Sequence, residues 1–410
     1  MRGLCHHWQS SLEVPVMRIH VLGLGTIGSL LSHHLRRALQ PASSITLIYR
    51  TQRRIKQALA QGGAIHIEEA GLVSTASGFL YDTFNDPIQN PQSSPEHIDS
   101  LFVTTKAQQT IHAINGLVSR LSKNSTIVLL QNGMGVYEIL INEVFRNPEQ
   151  RPHFILASNT HGAYLKTGQH IVHAGQGAIE FAIVPDISGR NYEAGFLDSS
   201  VPKFERKPRL SDITTPDDPS YGNYKTLRET VAALLLLELL NVSWRPISYL
   251  QTVMRRKLVV NAVVNPLTAL MGCRNGDLFH NHNSSAYNIM DKICGEASAV
   301  FKAQAIAESQ AWLNSLAMEG IDPNDVTVGR LPAALSSEML KKEVLRVADN
   351  TKHNISSMLS DIRRGRSTEI DFINGYLLNL GATHRVKMPY NSMLLHLIKL
   401  RGAIPLDQIL

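Results

Sequence analysis

Lys257, Asn261 and Asn265 recur at intervals of four inside an otherwise apolar run, Lys257-Leu-Val-Val-Asn261-Ala-Val-Val-Asn265-Pro266. On a helix such a series advances by only about 40° per member, so the three polar groups line one side. A buried polar group costs free energy unless it is partnered. A lysine and two asparagines on one face of an apolar helix therefore call for a reason. One reading is structural: Lys257 ends the exposed run Arg255-Arg256-Lys257, and the asparagines cap or pack near Pro266. The other is chemical. A second motif, Gly23-Leu24-Gly25-Thr26-Ile27-Gly28, has the form of a dinucleotide loop. A cofactor loop and a separate polar stripe in one chain together suggest a redox enzyme.

Each glycine of the loop has a mechanical task. Gly23 permits the tight turn, Gly25 lets a pyrophosphate approach the backbone, and Gly28 allows helix and strand to pack closely. The helix that follows offers free N–H groups and partial positive charge to phosphates. The context fits: Arg18–Leu22 reads as a strand, residues 29–39 as a helix, and Ile45–Tyr49 as a second strand. An NAD-binding unit places Asp or Glu at the end of that second strand. Here the strand ends in Tyr49-Arg50, followed by Arg53, Arg54 and Lys56. A guanidinium fork suits a 2′-phosphate, so NADPH is expected rather than NADH, with Arg50 as its ligand. The plain alternative is a solvated basic helix start.

Further strands are expected at residues 100–104 and 126–130, and alternation of strand with helix implies a parallel, doubly wound sheet. Helical patterns then dominate at 226–240, 250–271, 284–315, 336–348 and 369–380. The expected fold is α/β, a Rossmann-type doubly wound sheet followed by a mainly α-helical C-terminal domain. The boundaries read as 17–185 for the NADP-binding domain, 186–225 for a proline-rich polar linker or insertion, and 226–410 for the helical catalytic domain.

With 410 residues, 43% hydrophobic and 18% charged, the chain can build two cores and is not disordered. A formal charge of +6 comes without a basic stripe interleaved with aromatics, so it suits anionic cofactors and small acids better than nucleic acid. Cys5, Cys273 and Cys294 are odd in number and scattered; they indicate neither a disulfide framework nor a metal site. The longest apolar stretch, near Leu234–Leu240, is too short to span a bilayer. The first sixteen residues lack a signal core, so a cytoplasmic protein is expected. A mitochondrial leader is the alternative.

Six motifs in order resemble the ketopantoate reductase family: Gly23–Gly28, Thr105-Lys106-Ala107, Gln131-Asn132-Gly133-Met134-Gly135, Lys257–Pro266, Ser356–Asp361 and Thr368-Glu369-Ile-Asp-Phe-Ile-Asn374-Gly375. The resemblance implies a Rossmann domain joined to a helical domain, and reduction of 2-dehydropantoate to (R)-pantoate by NADPH. It implies that Lys257 is the proton donor, suited because hydride attack on a ketone builds negative charge on oxygen. Glu369 would orient or tune that lysine, with Asp371 a nearby competing carboxylate. Asn132, Asn261, Asn265 and Ser357 would bind substrate; the choice of Ser357 over Ser356 depends on register. Lys106 and Asn132 would also contact the cofactor. A homodimer is compatible with this pattern. The rivals are a relative acting on another 2-oxo acid and a non-catalytic NADP-binding regulator.

Overall fold

The computed structural model describes residues 16–84, 96–318 and 331–404. The N-terminal extension up to residue 15 and most of the polar stretch at 86–99 lie outside the described residues. The chain divides into two compact units: residues 1–131 with 138–250, and residues 132–137 with 251–410.

The first unit begins with β1 (Arg18–Leu22), α1 (Thr26–Ala38), β2 (Ser44–Tyr49) and α2 (Gln52–Ala60). Then come β3 (Ile65–Glu69), β4 (Leu72–Ala76), β5 (Leu80–Thr83), β6 (Ser100–Val103), α3 (Ala107–Asn115) and β7 (Thr126–Leu129). After the short α4 (Val136–Ile139), the run β8 (His153–Asn159), β9 (Gly162–Thr167), β10 (His170–Gly175) and β11 (Ile179–Ile183) follows. The unit closes with α5 (Ala194–Leu197), α6 (Leu210–Ile213), α7 (Lys225–Leu235) and β12 (Val242–Trp244).

The main sheet has the order β12-β11-β8-β7-β6-β1-β2-β5. From β5 to β8 all pairs are parallel. Every residue of β6 and β7 is buried, as a parallel strand covered on both faces must be. Two polar positions in these strands are satisfied from α7: Ser100 Oγ lies 2.7 Å from Thr230 Oγ1, and Thr126 Oγ1 lies 2.9 Å from Thr226 Oγ1. The expected parallel doubly wound sheet is therefore present, with two additions. β11 joins antiparallel to β8. A separate four-stranded sheet, β4-β3-β10-β9, covers α1. Its strands are short, and β4 and β9 are mostly solvent-facing, so apolar periodicity did not reveal them.

Residues 186–225 read from the sequence as a polar linker or insertion. They belong to the first unit, and their polar groups serve one another. The Tyr192 and Tyr224 hydroxyls donate to Asp186 Oδ2 at 2.7 and 2.8 Å, Arg190 pairs with Asp218, and Ile213 is fully buried. Proline and charge density look like solvation in a sequence, whereas here the charges are partnered.

The second unit contains α8 (Ile247–Met271, from Gln251 on), α9 (Ser284–Met318), α10 (Ser337–Asn350), α11 (Ser357–Arg363), α12 (Asn374–Thr383) and α13 (Pro389–Ala403). The expected helix at 369–380 is instead a 3-10 turn, Ile370–Phe372, followed by α12. Among the described residues, no helix is long and apolar enough to cross a membrane.

Buried histidines make the first unit acid-sensitive. Burial pushes His20, His33 and His34 each down to about 4, while an unfolded histidine titrates near 6.5. Between those values the unfolded chain binds more protons, so stability is full above about pH 6.5 and is lost as pH falls towards 4. The loss acts at three sites of one unit and bears on a stability that is marginal to begin with. Neither ring nitrogen of His20 has a hydrogen-bond partner among the described residues. His20→Phe is therefore expected to raise Tm at pH 5 and change it little at pH 8. An unaltered Tm difference between the two pH values would show that His20 does not carry this penalty.

Candidate active site

The glycine loop sits where β1 turns into α1. Gly23 has φ +99, and a Cβ there would lie 2.5 Å from the Thr105 backbone nitrogen. A Cβ on Gly28 would lie 2.1 Å from the Gly23 carbonyl oxygen and 2.4 Å from Thr104 Oγ1. These two glycines are required by packing. Gly25 is different: it is exposed, has an ordinary negative φ, and a Cβ there would meet nothing within 4 Å. It caps α1 without a side-chain hydrogen bond, and the first turn of α1 holds no acidic residue. The space beside Gly25 at the start of the helix is thus open and free of competing acids, as a cradle for a pyrophosphate requires. Leu24, Thr26 and Ile27 are half-buried beside it.

Two other expected cofactor residues flank this loop. Leu22 is in register with Ile48 of β2 and Val103 of β6. Arg50, just past β2, and Lys106, just past β6, thus end strands on either side of β1, where the order of connections reverses and ligands of such sheets bind. Arg50 is exposed; Lys106 is half-buried at the N-cap of α3. Arg50, Arg53, Arg54 and Lys56 are all exposed and form no ion pair among the described residues. The residues present fit a phosphorylated dinucleotide. Arg50→Glu is expected to weaken NADPH at least tenfold more than NADH, because charge reversal penalises the 2′-phosphate selectively. Equal losses in equilibrium titrations would remove Arg50 from that role.

The second unit collects the remaining candidates. Helix α8 is buried on nearly every side: Leu258, Val259, Val260, Ala262, Val263 and Val264 are all core residues. Lys257 and Asn261 are half-buried on this helix, and Asn265 is 8% exposed. Glu369 is also 8% exposed. Burial holds the Lys257 ammonium down to about 8, against the opposing pull of the Glu369 carboxylate. A lysine so placed is still protonated at neutral pH and gives up its proton more readily than a solvated one.

Ser356 and Ser357 have separate environments. Ser356 is buried, caps α11 by accepting from the Leu359 N–H at 3.1 Å, and lies 2.7 Å from the Thr268 hydroxyl of α8. Ser357 is exposed in the first turn. Of the two, only Ser357 keeps its hydroxyl outside the core. Asn132 is exposed on a loop that docks on the segment after Glu369. The Met134 N–H donates to the Phe372 carbonyl at 2.9 Å, and a Cβ on Gly133 (φ +81) would lie 2.6 Å from that oxygen. Asn132, Lys257, Asn261, Asn265, Ser357 and Glu369 all fall in one unit.

Sequence reasoning passed over the residues that hold this arrangement. Pro266 lies inside α8 and has no N–H to give the Ala262 carbonyl four residues earlier. Asn374 supplies it instead, with Nδ2 3.1 Å from that oxygen. The signal was present, since a proline within a helical pattern predicts an orphaned carbonyl. The identity of its distant partner was not.

The architecture is that of a Rossmann-type dinucleotide-binding unit with a helical second unit. Residues 19–186 match the family described as ketopantoate reductase PanE/ApbA, and residues 250–402 match its C-terminal region. The chain belongs to the ketopantoate reductase family. It is 27% identical over 375 residues to the 2-dehydropantoate 2-reductase of Saccharomyces cerevisiae, covering 88% of this chain and 87% of that one. With the enzyme of the same name from Escherichia coli O157:H7 the identity is 30% over 301 residues, 73% of each chain. Among solved structures, D-mandelate dehydrogenase with NADH and anilino(oxo)acetate has a TM-score of 0.64 at 19% identity, covering 94% of this chain and 99% of that one. A PanE/ApbA family ketopantoate reductase from Ralstonia eutropha has a TM-score of 0.62 at 18% identity, with the same coverage.

Proposed function

We propose that this protein reduces 2-dehydropantoate to (R)-pantoate with NADPH. The observation that carries the reading is the half-buried Lys257 on an apolar helix, lowered to about 8 and facing the charge of Glu369, in a chain that also carries an open Gly25 cradle. NADPH, when bound, supplies a hydride to the C2 carbonyl carbon. Lys257 donates a hydrogen bond to the carbonyl oxygen and transfers its proton there as negative charge develops, then recovers a proton from water. Glu369 keeps that ammonium charged against the cost of burial. Asn261, Asn265 and Ser357 donate hydrogen bonds to the substrate's carboxylate and hydroxyl oxygens, and Asn132 adds a further amide. Lys106 and Arg50 serve the cofactor, Arg50 at the 2′-phosphate.

Within the same proposal the enzyme is cytoplasmic and acts as a homodimer, the state named for a ketopantoate reductase from Staphylococcus aureus. The test is isotopic. Purified full-length protein given 2-dehydropantoate and NADPH deuterated at the transferable position should yield pantoate with one deuteron at C2, read by mass spectrometry. Pantoate without that deuteron, or none at all, would sink the reading.

A further inference from the structure

Asn374 completes a helix that its own sequence leaves incomplete. The Ala262 carbonyl falls between Asn261 and Asn265, one turn beyond Lys257, and Pro266 cannot bond it. Asn374 Nδ2 donates to it at 3.1 Å and to Asn391 Oδ1 at 3.0 Å. Asn391 Nδ2 in turn donates to Glu296 Oε2 at 2.7 Å, and the Glu296 carboxylate also accepts the backbone N–H groups of Tyr390 and Asn391 at 2.9 and 3.0 Å. Asn374 and Asn391 are both fully buried. The chain of bonds fixes which way each amide points, because a flipped Asn374 would set its oxygen against two acceptors.

Asn374 also belongs to the segment that carries Glu369 and whose Phe372 carbonyl receives the Asn132 loop. The Asn374 side chain thus ties α8 to α13, and its own segment carries Glu369 and, through the Phe372 backbone, holds the Asn132 loop. A proline in the middle of a buried helix would ordinarily free α8 to bend at the point that separates its two asparagines. The external amide removes that freedom.

We propose that Asn374 is a positioning residue for the reaction: by bonding the Ala262 carbonyl that Pro266 orphans, it sets the spacing of Lys257, Asn261 and Asn265 relative to Glu369. The inference rests on the reading of Lys257 as proton donor. It makes no contact claim between Asn374 and substrate. Its effect passes through α8.

The test uses three full-length variants, Asn374→Leu, Pro266→Ala and the double variant. Alanine at 266 restores an N–H that can bond Ala262 within the helix, so it should rescue the leucine variant. Asn374→Leu is expected to lower kcat by roughly 100-fold, the order that follows from a misplacement of about 1 Å, with the Kd for NADPH little changed. The double variant should recover at least about tenfold of that loss. A second readout needs no turnover: the pH dependence of Lys257 reductive methylation, followed by peptide mass spectrometry. Its midpoint should move away from about 8 in Asn374→Leu and return in the double variant.

If the unsubstituted protein fails to reduce 2-dehydropantoate while the methylation midpoint shifts and returns as stated, the substrate reading falls and the positioning role stands. If the unsubstituted protein is active and Asn374→Leu lowers only Tm, leaving kcat and the midpoint unchanged, the positioning role is overturned. It is likewise overturned if Pro266→Ala rescues nothing. Should Asn374→Leu fail to fold, Asn391→Ser removes the acceptor that orients the Asn374 amide, together with the donor to Glu296, while leaving the Asn374 bond to Ala262 available, and reads the same quantities.

Discussion

Lys257→Ala is expected to lower kcat about 1,000-fold and to leave NADPH affinity within about twofold, because on the proposed mechanism it removes a proton donor and an oxyanion partner together. The lysine lies in the second unit, while the glycine loop, Arg50 and Lys106 lie in the first, so cofactor binding has its own determinants. The pH profile supplies the sign. In the proposed mechanism the ammonium is the active form, and burial brings it to about 8. Activity should therefore hold below that value and fall as pH rises through it. Glu369→Gln removes the charge that opposes this depression, so the alkaline limb should move to lower pH. Unchanged turnover in Lys257→Ala would end its catalytic assignment, and a limb that moved upward in Glu369→Gln would end that of the glutamate.

The glycine loop gives a second large effect, and a control within three residues. Gly28→Ala must push a Cβ to 2.1 Å from the Gly23 carbonyl, which is itself held by the Gly25 N–H at 2.9 Å and by Thr104 Oγ1 at 2.5 Å. Helix α1 has to retreat, and its free N–H groups retreat with it. We expect a loss of about 1–3 kcal/mol in stability from overpacking and at least about 100-fold in NADPH affinity, equivalent to about 2.8 kcal/mol. Gly25→Ala meets open space at an ordinary φ, so Tm should stay put. Any weakening of NADPH there reports the cofactor's own volume. A Gly25→Ala protein that binds NADPH normally would mean the pyrophosphate does not lie over that residue.

The difference between these glycines marks what a sequence can convey. Local rules made the first strand–turn–helix legible, since the Gly23–Gly28 spacing and the flanking apolar runs are contiguous. Helices α11 and α13 of the second unit were not expected, whereas α8, α9 and α10 were legible as helical patterns. Contacts that join distant segments were not. The side sheet β4-β3-β10-β9 is closed by a pairing about 100 positions apart, Ile67 with Ile171, and its outer strands β4 and β9 are too exposed to show a pattern. The polar segment 186–225 reads only as a linker or insertion, because the mutual pairing of Asp186 with Tyr192 and Tyr224 leaves no mark in composition.

The candidate site divides similarly. Lys257, Asn261 and Asn265 stood out because polar groups at helical spacing are conspicuous in an apolar run. Glu369 and Ser357 came only through resemblance, since a single carboxylate or serine near a helix start is ordinary. The structure adds a physical distinction between the two serines, one buried as a cap and one exposed. Asn374 sat inside a matched motif without an assigned task, because its partner is the carbonyl of Ala262, 112 positions away.

The central claim is that this chain reduces one 2-oxo acid with one cofactor. The measurement that meets it most directly is NADPH consumption by the purified full-length protein with 2-dehydropantoate, run beside NADH and a panel of other 2-oxo acids. The account predicts a kcat/KM for 2-dehydropantoate with NADPH that exceeds every other pairing by at least about 100-fold, the discrimination that several lost hydrogen bonds produce. Faster reduction of a different 2-oxo acid, or NADPH binding with no reduction of any, would contradict it.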